Sequence, residues 1–437
     1  MDAPRKIVIL GAGGLIGCAV AETLFYARDL EVVAVARRFT EAQKAGFAQG
    51  IEAPFVEMNA DALRGLLARL NADVIVNCVG VLQRGAEDAH VAFVARLLAA
   101  LAAAERPALL VHLSIPGQAE ADATLFSRSK REAERLIAES PSPHVILRPG
   151  FVVAPQAFGG SALIRALAAL PLDLPQAVAQ QTFAATAIGD IAATIAHVAT
   201  RWRSGESHFR ESWDVMEARP GTVGQVVAAF RARFGGPRPL FTLPGSLLDI
   251  GAACADAVEF LGWSPPIRST ALAEMRRGVT GDPSGWAAAT GLAPTPLKDA
   301  LAAIPASIQE NWFARLYLLK AFVIGGLSLF WLLSGLIALT AGFDAALASA
   351  HASGMAPAAA KIFVIATSLL DIAVGVAIGI KASHRAGLLA ALAVSFAYLV
   401  GATALAPALW ADPLGPLVKI MPSILLTLVA WAISDNR

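Results

Sequence analysis

The sequence predicts an α/β domain with a doubly wound parallel sheet, followed by an all-α, four-helix transmembrane bundle. Over the first 150 residues, short apolar runs such as Val74-Ile75-Val76 alternate with helical patterns, which is typical of strands covered on both faces by helices. Charged residues make up 16% of the 437 residues, but only eight of them lie between Tyr317 and Ile433. That second region is apolar enough to be embedded in a membrane.

Six strands and five connecting helices are predicted in the first region. The predicted strands are Ile7–Gly11, Glu31–Ala36, Pro54–Glu57, Asp73–Gly80, Ala108–Ser114 and His144–Arg148. The predicted helices are Leu15–Ala27, Glu41–Gln49, Ala60–Leu70, Asp88–Glu105 and Leu125–Ser140. Because parallel strands need right-handed crossovers, this alternation predicts helices on both faces of the sheet.

Changes in the pattern divide the chain into four regions. We expect a sheet domain at 1–155, a lid on the substrate side at 156–305, an amphipathic linker at 306–316 and a transmembrane domain at 317–437. In the linker, Ile308, Trp312 and Leu316 recur at every fourth position. This spacing predicts a helix that either lies on the membrane surface or packs against the lid.

Four apolar segments predict the membrane spans. They are Ala321–Phe343, Ile362–Ile380, Ala386–Ala411 and Leu414–Ser434. The first and third carry no charge, and each is long enough to cross about 30 Å of hydrocarbon.

Basic residues that flank the spans predict the orientation. With the sheet domain inside, the inner side carries Arg315, Lys320, Lys381, Arg385 and Arg437, and the outer side carries Lys361 and Lys419. Positive residues concentrate on the cytosolic side. Met1–Lys6 lacks the pattern of a signal peptide. We therefore expect a multi-pass protein of a bacterial inner (cytoplasmic) membrane, with the sheet domain and both termini in the cytosol.

Asp371 is an ionisable residue within the second predicted span. Placing such a group in a membrane helix costs about 2.5–3.5 kcal/mol, so it usually faces the bundle interior and finds a partner. Candidate partners on other helices are Ser334, Ser395 and Tyr398. A purely structural hydrogen bond and a functional role both remain open.

Overall charge and cysteine usage exclude several classes of protein. With 35 basic and 34 acidic residues, the net charge is +1, which is not the footprint of a nucleic-acid-binding protein. Cys18, Cys78 and Cys254 have neither CxxC spacing nor a neighbouring histidine cluster, so we predict buried free thiols and no metal site.

A glycine-rich motif predicts a dinucleotide site. Residues 11–17 read GAGGLIG, directly after the first strand and at the start of the first helix. Such glycines permit a tight turn, close approach of a pyrophosphate and close packing of the helix, whose N-terminus attracts phosphates. The motif residues predicted to form the cofactor site are Gly11, Gly13, Gly14, Leu15, Ile16 and Gly17, with the pyrophosphate against Gly13 and Gly14.

Arg37 and Arg38 bear on the choice of cofactor. They end the second strand, where an NAD-binding protein usually has an acidic residue for the ribose 2′-hydroxyl. Guanidinium groups suit a 2′-phosphate, so NADP(H) is favoured over NAD(H). The alternative is a pair of solvated arginines.

These residues together resemble the short-chain dehydrogenase/reductase family. The resemblance rests on the glycine motif, Asn77-Cys78-Val79-Gly80, Ser114 and Arg148-Pro149-Gly150, and it covers roughly residues 5–300. It is closest to the atypical and extended branch, which includes the Rossmann-type accessory subunit of respiratory complex I. It implies a Rossmann fold with cofactor contacts from Cys78, Val79 and Gly80, and it puts Asn59 where the family often has an adenine-binding aspartate.

The same resemblance identifies the catalytic candidates. The family pattern Tyr-x-x-x-Lys matches Phe126-Ser127-Arg128-Ser129-Lys130. In the family, the tyrosine donates a proton to the substrate carbonyl and the lysine holds the nicotinamide ribose, but phenylalanine has no proton to donate. By the resemblance, Lys130 holds the ribose and Ser114 faces the nicotinamide. The structural alternatives are a solvated Lys130–Glu134 pair and a simple strand-end hydroxyl.

Residues 317–434 resemble the four-helix DoxX-like membrane family. Together the two resemblances predict a membrane-tethered NAD(P)H-binding reductase that acts on a lipophilic or quinone-like substrate. Its expected partners are the lipid bilayer, that lipophilic small molecule and other membrane proteins. Two alternatives remain open: a non-catalytic dinucleotide-binding module that stabilises or regulates a membrane complex, and a nucleotide-sugar epimerase or dehydratase, which would normally need the missing tyrosine.

Overall fold

Seven parallel strands form the main sheet of the computed structural model, which describes residues 4–27, 29–82, 85–203, 208–265 and 267–434. The strands are β1 (Arg5–Leu10), β2 (Leu30–Ala36), β3 (Gly50–Glu52), β4 (Val74–Asn77), β5 (Leu109–Leu113), β6 (His144–Pro149) and β7 (Arg210–Val215). Their order in the sheet is β7-β6-β5-β4-β1-β2-β3. The order reverses direction beside β1, which is where doubly wound sheets bind ligands.

Helices cover both faces of this sheet. Ile7 and Ile9 of β1 are fully buried on one face, against α1 (Leu15–Phe25) and α8 (Ile188–Arg203). Val8 and Leu10 are equally buried on the other face, in a second apolar cluster. The helices that contribute to this cluster are α3 (Ala60–Leu70), α4 (Phe93–Ala102) and α5 (Leu125–Glu139). The predicted doubly wound parallel sheet is confirmed.

The third predicted strand was misplaced. It was expected at Pro54–Glu57, but β3 comprises Gly50–Glu52 and pairs with Ala34–Ala36 of β2. Pro54 has no N–H for the next ladder bond, and its carbonyl accepts from the N–H of Glu57 to close a turn at 3.0 Å.

Two predicted helices also differ from the structure. The one expected at Glu41–Gln49 is the shorter α2 (Glu41–Gly46), because the chain becomes extended at Phe47. The one expected at Asp88–Glu105 begins as a π-helical turn, Asp88–Ala92, before α4.

The region after β6 adds short strand pairs and helices. Phe151–Val153 pairs with Ala185–Ala187, Thr182–Phe183 with Gly221–Thr222, and Leu172–Asp173 with Phe241–Thr242. The helices are α6 (Gly160–Ala168), α7 (Gln176–Ala179), α9 (Val223–Phe234), α10 (Gly245–Val258), α11 (Ser269–Arg277), α12 (Ser284–Thr290) and α13 (Leu297–Ala302).

The chain divides into two units according to its internal contacts. We call Met1–Ala253 with Pro266–Ala314 the sheet unit, and Cys254–Pro265 with Arg315–Arg437 the helical unit. Arg437, which contributed to the predicted orientation, lies outside the described residues.

Three helices of the C-terminal region are long and apolar enough to cross a membrane, among the residues that the structure describes. They are α14 (Ile308–Leu339), α16 (Pro357–Gly379) and α17 (His384–Leu405). The fourth predicted span forms α18 (Pro416–Ala432), whose 17 residues extend for about 26 Å. A short helix, α15 (Phe343–Ala352), follows α14.

The expected linker at 306–316 does not form a helix of its own. Helix α14 begins at Ile308 and continues without a break to Leu339. The physical reason is local, because neither glycine nor proline occurs between Ile308 and Ile324 to stop the helix.

Small residues allow the membrane-length helices to pack closely. A Cβ on Gly335 of α14 would lie 2.3 Å from the carbonyl oxygen of Ser368 in α16. A Cβ on Gly375 of α16 would lie 2.7 Å from the backbone nitrogen of Leu332 in α14. Such close contacts are typical of helix packing in membranes.

Asp371 of α16 has a partner on the neighbouring helix. The hydroxyl of Tyr398 in α17 donates to Asp371 Oδ1 at 2.8 Å. Tyr398 was one of the three expected candidates, and this hydrogen bond ties α16 to α17 inside an apolar bundle.

Candidate functional site

The turn from β1 into α1 is fixed by backbone geometry. Gly11 has φ +88°, in the left-handed region that favours glycine. The N–H groups of Gly11 and Ala12 donate to the carbonyl of Val35 in β2 at 2.9 and 3.0 Å. The N–H of Gly14 donates to the carbonyl of Gly11 at 3.0 Å and closes the turn.

Packing explains some glycines of the motif but not Gly14. A Cβ on Gly17 would lie 2.4 Å from the Gly11 carbonyl oxygen, so α1 packs directly on the turn. A Cβ on Gly13 would lie 3.1 Å from the carbonyl oxygen of Arg38, which is also tight. At Gly14 the nearest atom would be 3.4 Å away, an ordinary contact.

Space at Gly14 lies beside the N-terminus of α1. Gly14 is the N-cap residue and provides no side-chain cap for the first turn, which contains Leu15 and Ile16. The N–H groups of a helix start attract phosphate, and a glycine that the protein's own packing does not require leaves room for it. The residues present therefore fit the pyrophosphate of a dinucleotide.

Asn77 shapes the turn at the end of β4. Its Oδ1 accepts from the N–H of Val79 at 3.1 Å, and its Nδ2 lies 3.0 Å from His112 Nδ1. Asn77 and His112 are both 1% exposed. Burial, with the nearby charge of Lys130, holds the pKa of His112 well below its usual range, so the ring is neutral and Nδ1 can accept from the amide.

Lys130 of α5 bridges the ends of two strands. Its Nζ donates to the carbonyl oxygens of Val79 and Leu113, each at 2.8 Å, and the residue is only 4% exposed. Burial lowers the pKa of this amine to about 8. The alternative of a solvated Lys130–Glu134 pair is not what the structure contains, because Lys130 is buried and its ammonium donates to two carbonyls.

Ser114 and Cys78 lie at the same strand ends. Ser114 directly follows Leu113, and its Oγ is buried with no hydrogen-bond partner among the described residues. A buried hydroxyl without a partner is unfavourable, so this one is available to a ligand. Burial raises the pKa of the Cys78 thiol to about 12, which leaves it unreactive at neutral pH.

Phe126 packs against His90, a buried histidine. The rings of Phe126 and His90 meet edge to face with centroids 5.6 Å apart. His90 Nε2 accepts from the N–H of Val81 at 2.9 Å, so Nδ1 carries the proton and donates to Ser129 Oγ at 2.8 Å. Burial lowers the pKa of His90 to about 3, which keeps the ring neutral. No spacing in the sequence could have indicated this chain of contacts.

An ion-pair network holds the helix that carries Lys130. Arg148 of β6 donates to both oxygens of Glu134 in α5, at 3.0 and 2.7 Å. Arg131 of α5 lies 3.1 Å from both Glu134 and Asp122, and Arg277 of α11 lies 2.8 Å from Asp122. The network fixes α5 against strand β6 of the sheet and against the region after β6.

The residues expected near the adenosine end of a dinucleotide lie at the surface. Arg37 and Arg38 are exposed after β2, and Arg37 lies 3.8 Å from the carboxylate of Glu57, a weak contact between two exposed side chains. Asn59 Oδ1 accepts from the N–H of Ala62 at 2.9 Å and caps α3. Its expected role with adenine stays a prediction.

Two family models match the sequence. Residues 7–170 match the NAD dependent epimerase/dehydratase family, and residues 328–428 match the DoxX-like family. The chain joins an epimerase/dehydratase-like Rossmann domain to a DoxX-like domain. The two predicted resemblances are confirmed at this level.

Solved structures are similar to the epimerase/dehydratase-like part in fold alone. UDP-glucose 4-epimerase from Thermotoga maritima has 11% sequence identity and a TM-score of 0.51, covering 70% of this chain and 98% of its own. A putative epimerase from Burkholderia cenocepacia has 16% identity and a TM-score of 0.50, covering 72% and 99%. Pal from Bacillus thuringiensis has 12% identity and a TM-score of 0.52, covering 71% and 100%. No curated protein matches the sequence significantly.

Substitution of Gly14 tests the phosphate site of the epimerase/dehydratase-like domain. We expect Gly14→Val to abolish dinucleotide binding, because a branched side chain would occupy the space at the α1 N-terminus. The fold should persist, since the nearest atom to a Cβ there is 3.4 Å away. The measurement is calorimetric titration with NADPH and NADH. Gly65→Val, at an exposed helical glycine with nothing within 4 Å, is the matched control; undiminished binding by Gly14→Val would contradict the assignment.

Lys130 should make stability depend on pH. Its pKa is lowered from 10.5 to about 8, so the unfolded chain binds more protons between these values. The free energy of unfolding therefore rises between about pH 8 and pH 10.5 because of Lys130, by about 3 kcal/mol in total. We expect the unfolding free energy of the wild type to rise in this window relative to that of Lys130→Met, measured by denaturant titration in detergent. Lys298→Met, at an exposed lysine of α13, should run parallel to the wild type. A Lys130→Met curve parallel to that of the wild type would contradict the lowered pKa of Lys130.

Proposed function

We propose that this chain is a membrane-anchored, nicotinamide-dinucleotide-dependent reductase of a lipid-soluble, quinone-like acceptor. The observation that carries the proposal is the space at Gly14, beside an uncapped helix N-terminus and next to the buried polar ends of β4 and β5. The match of residues 7–170 to an NAD-dependent family supports the class of cofactor. The three membrane-length helices support an acceptor that dissolves in lipid.

Ser114 and Lys130 are the residues that would act on the acceptor. A bound nicotinamide supplies or accepts a hydride. The hydroxyl of Ser114, which has no partner among the described residues, can donate to a carbonyl oxygen and orient it. Lys130 uses two of its three N–H donors on backbone carbonyls, and its charge favours negative charge that develops on a nearby oxygen. A pKa of about 8 also allows it to hold or release a proton near neutral pH.

Phe126 favours a quinone-like acceptor over an ordinary ketone. By the resemblance to the short-chain dehydrogenases, it occupies the position of their proton-donating tyrosine, and its ring packs on a neutral, hydrogen-bonded His90. Reduction of an ordinary ketone by the family's route needs that phenolic proton. A quinone-like acceptor can take its proton from water after hydride transfer, so it fits this site better.

A non-catalytic role is the second candidate. It is favoured by Phe126 and by the ammonium of Lys130, which is already bonded to Val79 and Leu113. In this case the domain would bind the dinucleotide and report on it, or stabilise a membrane complex, without turnover.

We further propose an orientation in the bacterial inner membrane. Lys320, Lys381 and Arg385 flank the described spans on the side that would face the cytosol, and Lys361 and Lys419 lie on the other. The bias of basic residues supports a cytosolic sheet unit.

An assay of NADPH oxidation distinguishes the reductase hypothesis from that of a non-catalytic binding module. We expect the wild type in liposomes to oxidise NADPH with a short-chain quinone and to reduce simple ketones slowly. Phe126→Tyr should speed ketone reduction, since general acid catalysis contributes about 10²–10⁴-fold where a pocket is open. Phe158→Tyr adds a phenol at a half-exposed position and is the control. Bound NADPH without turnover of either substrate class by wild type or Phe126→Tyr would argue against the reductase and for the binding module.

Arg37 should set the preference for NADP(H). We expect the wild type to bind NADPH more tightly than NADH, and Arg37→Ala to lose most of the difference, because the guanidinium pairs with the 2′-phosphate. The measurement is the ratio of the two dissociation constants at fixed salt. Arg64→Ala, at an exposed arginine of α3, should leave that ratio unchanged. Equal affinities in the wild type would rule out a 2′-phosphate site.

A further inference from the structure

A short segment of the N-terminal part of the chain belongs to the helical unit. Cys254–Pro265, here called the 254–265 segment, packs with Arg315–Arg437, while the residues on both sides of it belong to the sheet unit. It contains the end of α10 and a 3₁₀ turn, Glu259–Leu261. The match to the DoxX-like family begins only at residue 328, so the family model does not include this segment.

Two hydrogen bonds attach the segment to the turn between α16 and α17. Trp263 Nε1 donates to the carbonyl oxygen of Gly379, the last residue of α16, at 2.7 Å. The N–H of Lys381 donates to the carbonyl oxygen of Leu261 at 3.0 Å. The carbonyl of Gly379 is at the C-terminal end of α16, where carbonyl groups have no partner within the helix.

A ring contact adds a third attachment point. The indole of Trp263 meets the imidazole of His384, at the start of α17, edge to face with centroids 5.0 Å apart. His384 is buried and lies 2.9 Å from the carbonyl of Ile378 and 2.8 Å from the hydroxyl of Ser434. The segment thus packs on a point where α16, α17 and the residues after α18 already meet.

These contacts fix the depth of the segment relative to the spans. Helix α16 ends at Gly379 and α17 begins at His384, so the turn between them marks the end of the apolar stretch. Lys381 and Arg385 are exposed there, as basic residues usually are at the edge of the hydrocarbon. Leu261 and Trp263 bond to this turn and therefore lie at the same level, where tryptophan is enriched in membrane proteins.

Large apolar side chains of the segment are exposed at this level. Phe260 is 77% exposed and Leu261 is 43% exposed in the described part of the chain. The turn that they contact also exposes an apolar side chain, because Ile380, between α16 and α17, is 36% exposed. Exposed apolar side chains beside the ends of membrane-length helices lie where the headgroups meet the acyl chains of a bilayer.

We propose that the 254–265 segment is an interfacial membrane anchor. It inserts Phe260 and Leu261 between the lipid headgroups and the upper acyl chains, and Trp263 holds it to the α16–α17 turn. The binding partner is the lipid surface itself. This role is independent of the cofactor and of any turnover.

Site-directed fluorescence quenching tests the depth of Phe260. Cys254 is exposed, although the sequence predicted a buried thiol, and Cys78 is partly exposed, so both are replaced by serine. Labelling of this protein before the Phe260 substitution gives the background from the buried Cys18. Phe260→Cys is labelled with an environment-sensitive fluorophore in the full chain. The protein is then placed in nanodiscs of phosphatidylethanolamine and phosphatidylglycerol. The quenchers are aqueous iodide and a phospholipid with a nitroxide on the upper acyl chain.

Two labelled controls calibrate the response. Phe396→Cys lies near the middle of α17 and reports a lipid-facing position, and Gly65→Cys lies on an exposed face of α3 and reports a position in the sheet unit. We expect the label at 260 to be quenched by the lipid nitroxide several-fold more than the label at 65, and by iodide several-fold less. Iodide quenching equal to that at 65 would overturn the proposal, because the segment would then face water. Protection from both quenchers would also overturn it, because a protein surface such as a second copy would then cover Phe260.

Trp263 provides an independent test of the attachment. Trp263→Phe removes only the donor to Gly379, and Trp263→Ala removes the ring contact as well. We expect iodide quenching of the label at 260 to rise in the order wild type, Trp263→Phe, Trp263→Ala. Trp312→Phe, at an exposed tryptophan of the sheet unit, is the matched control and should have no effect. Unchanged quenching in both Trp263 variants would refute the anchoring role of the indole.

Discussion

The close approach of α1 to the turn after β1 is the constraint on which the site depends. A Cβ on Gly17 would lie only 2.4 Å from the carbonyl oxygen of Gly11, so the backbones of the helix and the turn are in direct contact there. This contact sets the direction of α1 and brings its N-terminus to the carboxyl end of β1. Strand β4 lies next to β1 and β5 lies next to β4, and Cys78 and Ser114 directly follow these two strands.

Buried polar groups at these strand ends are satisfied by one long side chain. Lys130 reaches from α5 to the carbonyl oxygens of Val79 and Leu113, and the Arg148–Glu134 pair fixes the helix that carries it. The amine therefore has a structural role whether or not a ligand is present. This support does not involve the side chain of Phe126, which packs against His90 instead.

The sequence predicted local features well and long-range ones poorly. The glycine turn and the helices that follow β1 and β4 depend on neighbouring residues, so the pattern was sufficient. The edge strand β3 has only three residues, none of them buried, and it is held by backbone pairing with β2. An apolar pattern therefore could not locate it, and the strand was predicted at Pro54–Glu57 instead. The Asp371–Tyr398 pair was among the expected candidates because an apolar bundle offers few polar partners. The contacts of His90 with Ser129 and of Trp263 with Gly379 join residues far apart in the chain, and no spacing encodes them.

Three covalent connections, rather than one, join the two units. The chain passes from the sheet unit to the helical unit after Ala253, returns after Pro265 and leaves again after Ala314. A single cut near residue 306, which the sequence suggests as the natural boundary, would therefore not release a self-contained soluble fragment. The fragment would still carry Phe260, Leu261 and Trp263, now without the helices that Trp263 bonds to. A soluble form that preserves the dinucleotide site requires the 254–265 segment to be replaced by a polar loop as well as removal of the C-terminal helices.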